Sequence, residues 1–101
     1  MARAALGRVY EEAFAEVDLS GEEAAALRLR TQMLLAVKDA IRKRRWSQAE
    51  AAEALGVKQP RISEILNLRI DKFSVELLVR YLFRLGISAG VVTRRLRRSS
   101  K

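Results

Sequence analysis

The sequence predicts an all-α fold: a compact helical bundle of about five helices, ending in a short C-terminal strand or extended arm. Apolar residues recur at three- and four-residue steps through most of the 101-residue chain. Two S-x-x-E capping boxes, Ser20 with Glu23 and Ser47 with Glu50, mark helix starts. Gly56 and Gly86 follow periodic stretches, where glycine can adopt the left-handed geometry that ends a helix. The length favours one folding unit, and about half of the residues are hydrophobic, enough for a small core. The chain divides into an N-terminal segment (1–19), a helical domain (20–86), and an arm with a basic tail (87–101).

Residues 4–17 read as a short amphipathic helix, with Leu6, Val9, Tyr10, Ala13, Phe14 and Val17 on one face. Ser20 then caps a long helix reaching about Lys43. Leu27, Leu34, Val37 and Ile41 form its apolar stripe, with Met33 and Ala40 alongside. It closes on Arg42, Lys43, Arg44 and Arg45. Cations there suit the negative end of the helix dipole, and the same cluster can reach a phosphate; the two roles are compatible.

The next helix starts behind Ser47. Trp46, in front of it, is expected to pack in the core rather than stack on a base. Ala49, Ala51, Ala52 and Ala54 make this helix slim, and Ala52 permits a close crossing with a neighbour. A further helix is expected from Gln59 to Asn67. Pro60 is tolerated in a first turn, which has no intrahelical N–H bond to lose. Ile62, Ile65 and Leu66 share its core face, and Gln59, Arg61, Ser63 and Glu64 lie mostly away from it. After a loop at 68–72, Ser74 caps the last helix, and Phe73 and Leu78 can form a hydrophobic staple. Val75, Leu78, Tyr81, Leu82 and Leu85 make its inner face. Beyond Gly86, the β-branched patch Val91–Thr93 favours a short strand or arm to about Leu96, although Gly90 weakens a strand.

Charge is unevenly placed. Residues 1–41 carry a net −2 and residues 42–101 a net +10, for +8 overall. A basic field of that kind suits a polyanion, because each phosphate contact releases counterions; the alternative is a merely solvated basic surface. The chain has no Cys and no His, so thiolate or imidazole metal sites, disulfides and imidazole catalysis are excluded. No cofactor is expected. No apolar run approaches the roughly 20 residues that span a bilayer. The N-terminus lacks the apolar stretch of a secretory signal, so a cytoplasmic protein is expected.

Helix, small residue, glycine turn and polar second helix, over Trp46–Leu68, is the layout of a helix-turn-helix, whose second helix enters the DNA major groove. Gln59, Arg61, Ser63 and Asn67 give that helix a polar face suited to base edges and phosphates.

Trp46–Leu85 resembles the helix-turn-helix of the XRE family of bacterial regulators, which includes phage repressors, and implies a lambda-repressor-like fold. The segments SQAEAAEALGV, KQPRISEIL and DKFSVELLVRYLFRLG carry the likeness. Across roughly residues 8–94 the chain is similar to the HigA-type antitoxin branch. The resemblance implies roles. Gln48 would bond a phosphate and brace the next glutamine. Gln59 would read a base edge, as a glutamine amide can pair bidentately with adenine. Arg61 would contact guanine or phosphate, Ser63 a base or the backbone, and Asn67 a phosphate. Independently of the resemblance, the cationic cluster at the end of the long helix places Arg44 and Arg45 for phosphate contacts beside the motif. Two positions depart from the family pattern. Lys58 replaces the usual Ser or Thr, a lost N-cap costing about 1 kcal/mol. A phosphate there would offset lysine's opposition to the dipole, so Lys58 is expected to touch one. Leu68 replaces the usual Gly, and Asn67 is expected to take the left-handed geometry in its stead.

One recognition helix reads only about four base pairs, so a homodimer on a palindromic operator is expected, with half-sites about 34 Å apart or a multiple of that. Leu85–Leu96 is the expected dimer segment, with Val91 and Val92 pairing across the axis. Arg94, Arg95, Arg97 and Arg98 add phosphate contacts, follow the minor groove, or form a solubilising tail. The resemblance implies a repressor, and either an autoregulating antitoxin with a small ribonuclease toxin or a stand-alone regulator. A toxin would face Glu11, Glu12, Glu16, Asp18, Glu22 and Glu23; those acids equally suit a helix N-terminus. A basic RNA-binding protein would share the charge, but the six aromatics fall mostly in core-like positions. An enzyme is disfavoured, because Tyr10 and Tyr81 sit in apolar stripes with no convergent acid–base pair.

Overall fold

The computed structural model describes residues 21–93 and Arg95. Helix α1 spans Gly21–Lys43, α2 Gln48–Leu55, α3 Gln59–Leu66 and α4 Val75–Arg84, with a turn of 3-10 helix at Ile70–Lys72. The regular elements among the described residues are all helical, with no strand. The expected helix over 4–17, the Ser20 cap, the acids from Glu11 to Asp18, Leu96, and Arg94, Arg97 and Arg98 lie outside the described residues.

Local signals place the helix ends. At Ser47 both halves of the capping box form. The Glu50 N–H donates to Ser47 Oγ at 3.1 Å, and the Ser47 N–H donates to Glu50 Oε1 at 2.8 Å. Ser74 Oγ accepts from the Leu77 N–H at 3.1 Å. Gly56 ends α2 with φ 69°, and the Val57 N–H reaches back to the Ala52 carbonyl at 2.9 Å. Gly86 does the same after α4, with φ 80° and the Ile87 N–H on the Leu82 carbonyl at 2.8 Å.

α1 packs chiefly on α4, and α2 on α3. Leu34, Leu55, Ile62, Ile65 and Leu78 are fully buried in one core with Val37, Ile41, Ala51, Ala52, Phe73, Tyr81, Leu82 and Leu85. Each large aliphatic side chain so buried contributes about 1.5–3 kcal/mol. Ala51 and Ala52 are both buried, which lets α2 lie close to its neighbours. Trp46 is half-buried against the edge of this core.

Two expectations change. Residues 87–93 take no regular structure rather than a strand, because no described strand offers the backbone partners a strand requires. Val91 and Val92 are exposed there, and Leu85 is buried, as its place on the inner face of α4 implies. Finally, Leu68 itself adopts the left-handed conformation, with φ 54°, while Asn67 stays at φ −94°. Closure of the helix end dictates this: the Arg69 N–H bonds to the Glu64 carbonyl and the Leu68 N–H to the Ile65 carbonyl, each at 3.0 Å. The half-buried Leu68 side chain packs on the core, which offsets part of the backbone cost.

Candidate nucleic-acid interface

The surface of α3 is set by its two buried isoleucines. Ile62 and Ile65 face the core, so the opposite face of the helix is turned outward. Gln59, Ser63 and Asn67 follow one another at four-residue steps and therefore form a single stripe along that face. Gln59 and Asn67 are exposed and Ser63 is half-buried between them.

The stripe is internally bonded at its lower end. Asn67 Nδ2 donates to the Ser63 carbonyl at 2.9 Å and to Ser63 Oγ at 3.3 Å. The amide nitrogen is thereby spent within the helix, which leaves Asn67 Oδ1 as an acceptor. Because Ser63 Oγ accepts from Asn67, its hydroxyl hydrogen is left to donate elsewhere. Gln59, at the first helical position, retains a whole amide with donor and acceptor side by side, the pattern that matches adenine in the major groove.

Lys58 stands at the head of the stripe. It is exposed at the N-cap of α3 and makes no side-chain cap bond. Pro60 supplies no N–H, and the Arg61 N–H closes onto the Lys58 carbonyl at 2.9 Å. A positive side chain beside the positive end of a helix is mutually unfavourable until an anion joins them. Gln48 is exposed at the first position of α2, the helix that packs on α3.

Arg61 departs from the expected outward face. It precedes buried Ile65 by four residues and so shares its side of the helix. Its guanidinium bonds Glu64 Oε1 at 3.0 Å, with both side chains 31% exposed, and lies 4.4 Å from the centroid of the Phe73 ring. Phe73 in turn meets the Tyr81 ring edge-on, with centroids 6.3 Å apart. Burial acts to lower the Arg61 pKa, but the Tyr81 phenol and the Glu64 carboxylate outweigh it, so the group sits above its ordinary value and stays charged. A cation over a ring contributes about 0.5–1 kcal/mol at an exposed site and more when desolvated.

Arg44 and Arg45 diverge at the end of α1. Arg44 folds back on the protein, donating to the Ala40 carbonyl at 3.1 Å and the Leu85 carbonyl at 2.6 Å, with its guanidinium carbon 5.3 Å from the Trp46 ring centroid. It is a cationic cap, as its place in the sequence allows. Arg45 is exposed with φ 56° and is not drawn into that clasp. A third arginine, Arg84, donates to the Leu55 carbonyl and closes the end of α2. Nothing in the sequence signals that bond, since its partners are 29 residues apart. Arg69 and Lys72, exposed on the loop that follows α3, add positive charge that the motif-based reading passed over. Their signal was present as bare cations just after the recognition helix.

No helix among the described residues is long and apolar enough to cross a membrane. Residues 15–94 match the model of a family described as a helix-turn-helix domain. A solved structure described provisionally as an XRE family transcriptional regulator is 32% identical to the chain, with a TM-score of 0.68; the match covers 79% of this chain and 90% of that one. No curated protein matches the chain.

Proposed function

The chain belongs to the helix-turn-helix domain family, and from that premise we propose that it is a cytoplasmic transcriptional regulator that reads duplex DNA with α3. One observation carries the reading: fully buried Ile62 and Ile65 anchor α3 while Gln59, Ser63 and Asn67 line its opposite side. The N-terminal end of the helix enters the major groove, where Gln59 reads a base edge and Ser63 donates to a base or the backbone. Lys58 and Gln48 hold phosphates around it, and Asn67 reaches one only by releasing Nδ2 from Ser63. Arg45 is the member of the α1 cluster left for the same work.

The active form is a homodimer on a palindromic operator, because one helix reads too few base pairs. Exposed apolar residues support this: Val79 and Phe83 on α4, and Val91 and Val92 beyond it, with Phe83 78% and Val92 96% accessible. The protein acts by occupancy rather than by catalysis, blocking polymerase as a repressor. The narrower reading, an autoregulating antitoxin of the HigA type, is supported by the sequence resemblance. It requires a neighbouring reading frame for a small ribonuclease that copurifies with this chain; without one, the protein is a stand-alone regulator.

Selection of random duplex DNA by the purified protein tests the whole reading. Recovered sequences should share an inverted repeat with half-sites about one helical turn, or a multiple, apart. Gln59→Ala should relax preference within each half-site. Absence of enrichment, or tighter binding to single-stranded RNA than to any selected duplex, refutes it.

A further inference from the structure

Arg61 is the one arginine on α3, and its guanidinium is held from two sides by the protein itself. The Glu64 carboxylate bonds it at 3.0 Å on its own helix, and the Phe73 ring stacks on it from the loop before α4. Phe73 is 3% exposed and Tyr81 2%, so the surface against which Arg61 rests is part of the core. The contacts run in series from α3, through Phe73, to α4. A guanidinium pointed at guanine would have to leave both the ring and the carboxylate.

We propose that Arg61 is a positioning residue: it fixes the angle at which α3 is presented, and discrimination between bases falls to Gln59 and Ser63. The inference rests on α3 being the DNA-reading helix. The polar side chains of Gln59 and Ser63 can meet base edges only if the helix axis is set accurately. Ile62 and Ile65 hold α3 to the core on one line. Arg61 adds a second line of contact to the side, which resists rolling of the helix about its axis.

The test uses the full chain, a duplex obtained by selection, and the variants Arg61→Ala, Arg61→Met and Gln59→Ala, each first shown to be folded by thermal unfolding. Affinity is measured over a range of salt. Arg61→Ala should bind about tenfold more weakly, with base preference and salt dependence unchanged. Arg61→Met fills the space over Phe73 without a charge and should recover most of that loss, which a lost ionic contact could not do. If Arg61→Ala fails to fold, Arg61→Met still decides: it should bind within a few-fold of the parent with the parent's salt slope.

Three results overturn the proposal. A salt slope lowered by about one in Arg61→Met makes Arg61 a phosphate contact. Loss of preference at a single base pair in Arg61→Met makes it a base reader. A folded Arg61→Ala that binds as tightly as the parent leaves it with a purely structural role. In each of these the parent binds and Gln59→Ala still relaxes preference, so the DNA-reading assignment survives. A parent that selects no duplex overturns both together.

Discussion

The guanidinium of Arg44 donates to the main-chain carbonyl of Leu85 at 2.6 Å, and so ties the end of α1 to the end of α4 across 41 residues of sequence. Leu85 follows α4, where carbonyls run out of intrahelical partners, while the Ala40 carbonyl already accepts the Arg44 N–H at 3.3 Å; one cation bonds both. Arg44→Met keeps most of the side-chain length and removes these donors. Charged hydrogen bonds are worth about 1.5–3 kcal/mol, but Arg44 is exposed, so a loss of about 1 kcal/mol is expected by urea unfolding. DNA affinity per folded molecule and its salt slope should stay at the parent value. A slope lower by about one would return Arg44 to the phosphate contacts.

Leu68 carries a backbone cost that its side chain partly offsets, and two substitutions separate the terms. Leu68→Ala removes the packing and keeps the Cβ that opposes φ 54°; Leu68→Gly removes both. Glycine should therefore be more stable than alanine at this site by about 1 kcal/mol, the reverse of their order in a helix interior. Denaturant midpoints of the two variants check this. Alanine equal to or better than glycine would mean that the left-handed turn at the end of α3 is not populated in solution.

Much of this architecture was legible because its causes are local. Ser47 with Glu50, Ser74, Gly56 and Gly86 each act within a few residues, and the helix ends fall where they indicate. The burial of Ile62 and Ile65 followed from period alone. What escaped reading depends on contacts distant in sequence. Arg61 shares a side with Ile65, but only the folded chain brings Phe73 under its guanidinium. The bonds from Arg44 to Leu85 and from Arg84 to Leu55 join residues 41 and 29 apart. These three guanidinium groups are engaged within the fold, but Arg44 and Arg84 bond neutral carbonyls and keep their charge, and only Arg61 is paired with an acid. At Leu68, the local preference for glycine was overridden by a side chain that packs on the core.

Thr31 lies in α1 at 2% exposure, and its hydroxyl has no hydrogen-bond partner. An unsatisfied buried hydroxyl loses its hydration without compensation, a penalty of about 1–3 kcal/mol. Valine has nearly the same shape, a similar helix propensity and no polar group to desolvate. Thr31→Val should raise stability by about 1 kcal/mol, read as an increased midpoint in thermal or urea unfolding. A destabilised Thr31→Val would show that the hydroxyl is bonded in solution, through a buried water or a rearranged carbonyl.

Asn67 ends the polar stripe of α3, and replacing its amide by a carboxylate tests how far along the helix the DNA reaches. Aspartate keeps the shape but cannot donate to the Ser63 carbonyl, now 2.9 Å from Asn67 Nδ2. It also places a negative charge at the negative end of the helix dipole, so the free protein should lose about 0.3–1 kcal/mol. Against a duplex the penalty is larger. A carboxylate about 4 Å from a phosphate meets repulsion of about 1 kcal/mol in bulk water and about 4 kcal/mol at the effective dielectric of a protein surface. Asn67→Asp should therefore bind at least about tenfold more weakly than the parent, a change of 1.4 kcal/mol or more. Asn67→Ala, which loses a contact but adds no charge, should lose only a few-fold. Because phosphate repulsion does not depend on sequence, the Asp variant should weaken binding alike on matched and mismatched sites. Parent-like binding by Asn67→Asp would put the C-terminal end of α3 away from the duplex and confine recognition to its first turn, around Gln59.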